Sequence, residues 1–142
     1  MKVFFDNCTS PVFAGCLDAL IKRDGDEARH VRFMPEYGFA HDTTDIEWIT
    51  RLGAENAEWI VITGDQRIRR NIAERTAWIK AGLKGFVLSS AFRKKTPVNQ
   101  CASVLLWRWP DMRTFILQAA PGSMFELSIN RRSGFVSLPV ER

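Results

Sequence analysis

Apolar residues in this chain fall into two patterns, short unbroken runs and helical stripes, and the two alternate. Val3-Phe4-Phe5 and Trp59-Ile60-Val61-Ile62-Thr63 are brief runs without polar interruption, as expected of strands covered on both faces. Between them, Val12, Phe13, Cys16, Leu17, Leu20 and Ile21 recur at helical spacing behind Ser10-Pro11, a side-chain cap followed by a first-turn proline. Asp24-Gly25-Asp26 breaks that stripe, and Ala28 to Met34 alternates weakly as a second strand. A loop from Pro35 to Thr43 follows. Thr44 and Glu47 have capping-box spacing, and Asp45, Trp48, Ile49 and Leu52 stand at i, i+3, i+4 and i+7. This predicts a helix ending near Asn56 with Asp45 at the head of its inward face. Strand, helix, strand in this order predicts a right-handed parallel crossover.

Beyond Asp65 the pattern loosens into one or two short helices, then a strand over Phe86–Ser90 and a basic loop at Arg93-Lys94-Lys95. Thr96-Pro97 opens a helix from Val98 to Trp109, which Pro110 is expected to end or kink. A further helix is predicted from Asp111 to Ala120, closed by Pro121-Gly122. Met124–Ile129 and Phe135–Val140, either side of Asn130 to Gly134, read as a β-hairpin. The expectation is one α/β domain over residues 1–142, with a core of about 1–90 and helices and a hairpin in about 91–142.

Composition narrows this little. The 142 residues are 46% hydrophobic and 25% charged, as in an ordinary water-soluble domain. A formal charge of +4 permits a polyanionic partner. The charge is uneven, and this changes the picture. Arg67, Arg69, Arg70, Arg75, Lys80 and Lys84 follow Asp65 with Glu74 as the only acid among them, a candidate phosphate-binding stretch or a solvated helix face. Three cysteines without a CxxC pair argue against a disulfide framework or zinc site and fit a reducing, cytoplasmic location. No run approaches membrane-spanning length. Cys8 lacks a paired histidine and reads as a small buried hydrophobe, the five tryptophans read as packing residues, and His30 and His41 stand alone.

The chemistry lies in three acids. Asp6 and Asp65 each end an apolar run, and Asp45 heads an inward helix face. Each alone is explained by a cap or a helix dipole. If the first and third strands are parallel neighbours, however, Asp6 and Asp65 converge at the carboxyl edge of the sheet, where α/β folds bind ligands. Close carboxylates without His or Cys suit Mg²⁺ or Mn²⁺, and such an ion can activate water against a phosphodiester.

FFDNCTSP, DTTDIEWI and WIVITGDQRIRRN together resemble the PIN-like domains, in particular the small prokaryotic branch named after VapC toxins. The resemblance covers residues 1–90 in order. It implies a three-layer α/β/α fold with a central parallel sheet and an acidic Mg²⁺ or Mn²⁺ site formed by Asp6, Asp45 and Asp65. It also implies metal-dependent endoribonuclease activity of toxin–antitoxin type. Arg67, Arg69, Arg70 and Asn7 would hold RNA, and a cognate antitoxin or a second copy of the chain would be a partner, with no membrane involved. Relatives carry a further acid between the first strand and the position of Asp45. Here only Glu36 or Asp42 stands in that interval, and Asp42 is the better placed, one helical turn ahead of Asp45. The rival expectation is a catalytically degenerate module of the same family that binds RNA or a protein. A haloacid-dehalogenase phosphatase would need an acid where Cys8 stands, and a receiver domain would need paired acids near the first strand.

Overall fold

Along the first strand, β1 (Lys2–Phe5), alternate side chains enter two different cores. Val3 and Phe5 pack on one side of the sheet and Phe4 on the other, so this short run is apolar throughout because both faces are covered. The same division recurs in β3 (Trp59–Thr63), where Ile60 and Ile62 oppose Val61. The computed structural model describes residues 1–94 and 96–140.

Six strands form one sheet in the order β2-β1-β3-β4-β5-β6, with β2 at Glu27–His30, β4 at Lys84–Leu88, β5 at Met124–Leu127 and β6 at Val136–Leu138. All neighbouring pairs are parallel except β5 and β6, which form the expected C-terminal antiparallel hairpin. Helices α1 (Pro11–Ile21) and α5 (Val98–Gln118) cover one face, and α2 (Asp45–Ala54) and α3 (Ile72–Ala81) cover the other. This is the three-layer α/β/α arrangement. The parallel pairing of β1 with β3, Phe5 opposite Ile62, is the relationship on which the acidic site depends.

Local signals hold at the helix starts. The Ser10 hydroxyl accepts the Val12 N–H ahead of Pro11, and Thr44 and Glu47 form both halves of a capping box. Several boundaries differ from expectation. The second strand stops at His30 and turns into a 3₁₀ segment, Val31–Phe33, where the His30 ring accepts the Arg32 N–H. The fourth strand begins two residues early, at Lys84, where Lys84 and Gly85 pair with Ile60 and Val61, and Gly85 lies so close to Val61 and the Trp78 ring that a side chain would not fit. The basic loop at Arg93–Lys95 is in part a short helix, α4 (Ala91–Lys94), and Lys95 lies outside the described residues.

Pro110 does not end α5, which runs unbroken through it. Leu105, Arg108, Trp109, Met112 and Ile116 continue a single buried stripe across the proline. Each buried apolar side chain contributes about 2 kcal/mol, and together they outweigh the roughly 3 kcal/mol cost of one interior proline. Trp107, expected in the core, is 67% exposed and lies under the Arg131 guanidinium instead. Among the described residues, no helix is long and apolar enough to cross a membrane.

Candidate metal centre

The carboxyl ends of β1 and β3 release the chain side by side, and each release point is an acid. Asp6 follows Phe5 directly and is fully buried. One of its oxygens accepts the Cys8 and Gly64 N–H groups at 3.2 and 3.4 Å. The other takes the Thr63 hydroxyl. That hydroxyl also accepts the Asp65 N–H at 2.9 Å, so Thr63 physically couples the two strand-end acids.

Asp65 opens the 3₁₀ turn Gln66–Arg69, accepting the Arg67 N–H at 2.8 Å. Its carboxylate also receives the Arg67 guanidinium through both oxygens, at 3.0 and 3.1 Å. Asp45 comes from the opposite side, at the first turn of α2, steered by the Trp48 indole N–H at 2.9 Å. The inward helix face read from the spacing is therefore present, with Trp48, Ile49 and Leu52 buried behind the acid.

A third acid joins these two, and the sequence did not single it out. Ligand oxygens of Asp45, Asp65 and Glu74 all lie within 4.8 Å of one another. Glu74 sits in the first turn of α3, where Asn71 accepts its N–H at 3.1 Å. In sequence, Asn71-x-x-Glu74 is indistinguishable from a helix cap, and this masks its role. The tell-tale is spatial. Helices α2 and α3 pack against each other and both start at the carboxyl edge of the sheet, so their first turns meet. Glu74 Oε2 is buried and has no hydrogen-bond partner among the described residues.

Electrostatics follow from this crowding. Burial, with the charges of Asp45 and Asp65 adding to it, pushes Asp6 up from 3.8 to about 7 against its hydrogen bonds. Burial and the Asp45 and Asp65 charges also raise Glu74. Asp45 is raised by burial and by its neighbour Asp65, while Asp65 stays ionised because its bonds to Arg67 outweigh its own burial. The cluster thus holds more negative charge than its surroundings compensate. An all-oxygen donor set with one orphaned carboxylate oxygen fits a hard divalent cation such as Mg²⁺ or Mn²⁺.

The two acids considered for the missing family position stand elsewhere. Asp42 is exposed in the turn before α2 and is not in the cluster, and Glu36 is exposed and paired with Arg29 at 2.6 Å. Of the proposed phosphate-binding residues, Arg67 lies on Asp65, while Arg69 and Arg70 follow it without an ion pair among the described residues. Asn7 is fixed on the other flank, donating to the His41 carbonyl at 2.9 Å. Cys8 is exposed, contrary to the buried role read for it. Partial desolvation and the nearby acids push its thiol up to about 12, far from a nucleophilic thiolate. His30 is buried and neutral, bonded through Nε2 to the Thr9 carbonyl at 3.0 Å.

A family model described as a PIN like domain matches residues 1–90. The chain belongs to the PIN-like domain family. Its matched segment contains β1 to β4 and all four acids, Asp6, Asp45, Asp65 and Glu74. Membership suggests a nuclease-type function for this PIN-like domain, and the acidic cluster is the feature such chemistry requires. No curated protein and no solved structure matches the chain.

Proposed function

We propose that this PIN-like domain is a Mg²⁺- or Mn²⁺-dependent endoribonuclease. The observation that carries the reading is the buried Glu74 Oε2, without a hydrogen-bond partner among the described residues, beside the carboxylates of Asp45 and Asp65. Asp45, Asp65 and Glu74 would hold the metal. Asp6, enclosed behind them, anchors Thr63 and through it the Asp65 backbone. It is a member of the site by adjacency and charge. When bound, the cation supplies polarisation of a phosphodiester and a lowered pKa for an attacking water.

The chain's own groups set the stage for that chemistry. Trp48 fixes the Asp45 rotamer, and Thr63 and Arg67 fix Asp65. Arg67 is 83% exposed on the Asp65 carboxylate, so its guanidinium can also meet a phosphate from solvent. Arg69 and Arg70 extend that positive flank, and Asn7 borders the opposite one.

The toxin–antitoxin role rests on the likeness of the three sequence segments to the VapC branch. In that role an antitoxin encoded alongside would be the silencing partner, and a homodimer the working form. The biochemical reading can be tested without them. Titration calorimetry with Mn²⁺ should show binding that weakens at least tenfold in Glu74→Gln. RNA cleavage should vanish with chelator and in Asp45→Asn and Asp65→Asn. Undiminished Mn²⁺ affinity in Glu74→Gln would remove Glu74 from the site. Chelator-resistant cleavage shared by all variants would remove the enzymatic reading, leaving the non-catalytic module.

A further inference from the structure

The flank of the site on the β2 side contains a cation that the metal chemistry does not use. Arg32 lies in the 3₁₀ turn that follows β2, and β2 pairs with β1, so Arg32 stands at the same sheet edge as Asp6 and Asn7. Its backbone is pinned, because its N–H donates to His30 Nδ1 at 3.2 Å. Its guanidinium is pinned as well, with Nε donating to Asn7 Oδ1 at 3.0 Å. Asn7 in turn holds the His41 carbonyl in the segment leading to Asp45. One side-chain amide therefore ties together the end of β1, the turn after β2 and the approach to α2.

Arg32 is exposed and has no carboxylate partner among the described residues. A guanidinium held by its Nε through a neutral amide keeps both terminal nitrogens for an incoming anion. Next to it in the chain Phe33 is 63% exposed, which leaves most of its ring open to solvent. Phe33 borders a hollow of about 390 Å³ walled by Pro11, Ala14 and Gly15 together with the polar side chains of Asp18, Arg29 and His30, the Asp18 carboxylate being occupied by the Ala28 N–H. The backbone of Phe33 is fixed by Arg29, which donates to its carbonyl at 2.7 Å.

From these observations we propose that Arg32 and Phe33 form a second anchor for single-stranded RNA, across the acidic cluster from Arg67 and Arg70. Arg32 binds a backbone phosphate and Phe33 stacks on a base, so the strand crosses the carboxylates between two fixed cations. A pinned cation and, one residue further along the chain, an exposed ring are the two kinds of group that single-stranded nucleic acid uses. A duplex hides its base faces and gains nothing from Phe33. Asn7 is then a positioning residue that acts through Arg32. The inference rests on the ribonuclease reading and specifies how that site takes its substrate.

The test is fluorescence anisotropy of a labelled single-stranded RNA of about ten nucleotides with the full chain in chelator, over a range of salt. Arg32→Gln should weaken binding roughly tenfold and lower the salt slope by about 0.7, the contribution of one phosphate contact on a single strand. Phe33→Ala should weaken single-stranded RNA roughly tenfold and leave a duplex unchanged. Asn7→Ala should mimic Arg32→Gln, and the double variant should be no weaker than either. Arg23→Gln, a basic residue beyond the far end of α1, should have no effect. RNA bound and cleaved by the wild type but held equally well by Arg32→Gln and Phe33→Ala would overturn this anchor while leaving the nuclease reading intact. Absence of RNA binding by the wild type would overturn both.

Discussion

The Thr63 hydroxyl binds the Asp6 carboxylate while accepting the Asp65 N–H, so the acid ending β1 helps set the backbone of the acid ending β3. The two strands are parallel neighbours with Phe5 opposite Ile62, which puts Thr63 directly beside Asp6. Only an oxygen with both a proton and lone pairs can serve the two acids at once.

Thr63→Val keeps the shape and removes both bonds. It leaves a fully buried carboxylate short of one partner and a buried N–H short of another. Unmade buried hydrogen bonds cost about 1 to 3 kcal/mol. Urea unfolding should show a loss of that size, and Mn²⁺ affinity should fall because Asp65 is no longer held. An unchanged unfolding midpoint would show that Thr63 does not couple the acids.

Stability without metal should fall as pH rises toward neutrality. Asp6 is raised from 3.8 to about 7 by burial, so between those values the folded chain holds a proton that the unfolded chain has released. The stabilisation is complete below about pH 4 and is lost as pH climbs through 7, with a slope of at most about 1.4 kcal/mol per pH unit. Asp65 is lowered and acts in the opposite sense, but only in acid, below its ordinary value. Thermal unfolding in chelator at pH 5.5 and pH 8 should find the wild type more stable at the lower pH. In Asp6→Asn that difference should shrink, the remainder coming from Asp45 and Glu74, which burial also raises. Equal pH dependence in the two proteins would rule out Asp6 as its source.

Pro110 is tolerated in α5 rather than required by it. The residue is exposed, so its ring fills no core space, and it supplies no N–H to the helix. Pro110→Ala should stabilise the fold by about 1 to 3 kcal/mol, read as a rise in thermal midpoint, with RNA cleavage unchanged. A drop in stability would mean that the proline limits the unfolded chain more than it strains the helix.

Much of the architecture was legible in the chain. Val3 to Phe5 and Trp59 to Thr63 read as strands covered on both faces, and the Ser10-Pro11 and Thr44-x-x-Glu47 caps marked where two helices start. Asp45 was legible too, because its position on a 3.6-residue stripe fixes the face it shares with Trp48. These are short-range effects of period and capping, written within a few residues.

Tertiary structure decided what depends on residues far apart in the chain. Glu74 looks like a cap partner of Asn71 until α2 and α3 pack and bring it to Asp45 and Asp65. Asp6 and Asp65 become neighbours only because β1 pairs with β3; that enclosure raises Asp6, whereas Asp65 is lowered because its bonds to Arg67 outweigh its burial. Pro110 stays helical because a buried stripe spans it, a balance invisible to local propensity. The sequence by itself determined where the acids at strand and helix ends stand. Only the packing of sheet and helices decided which of them face one another, because mutual repulsion and desolvation act through space and not along the chain.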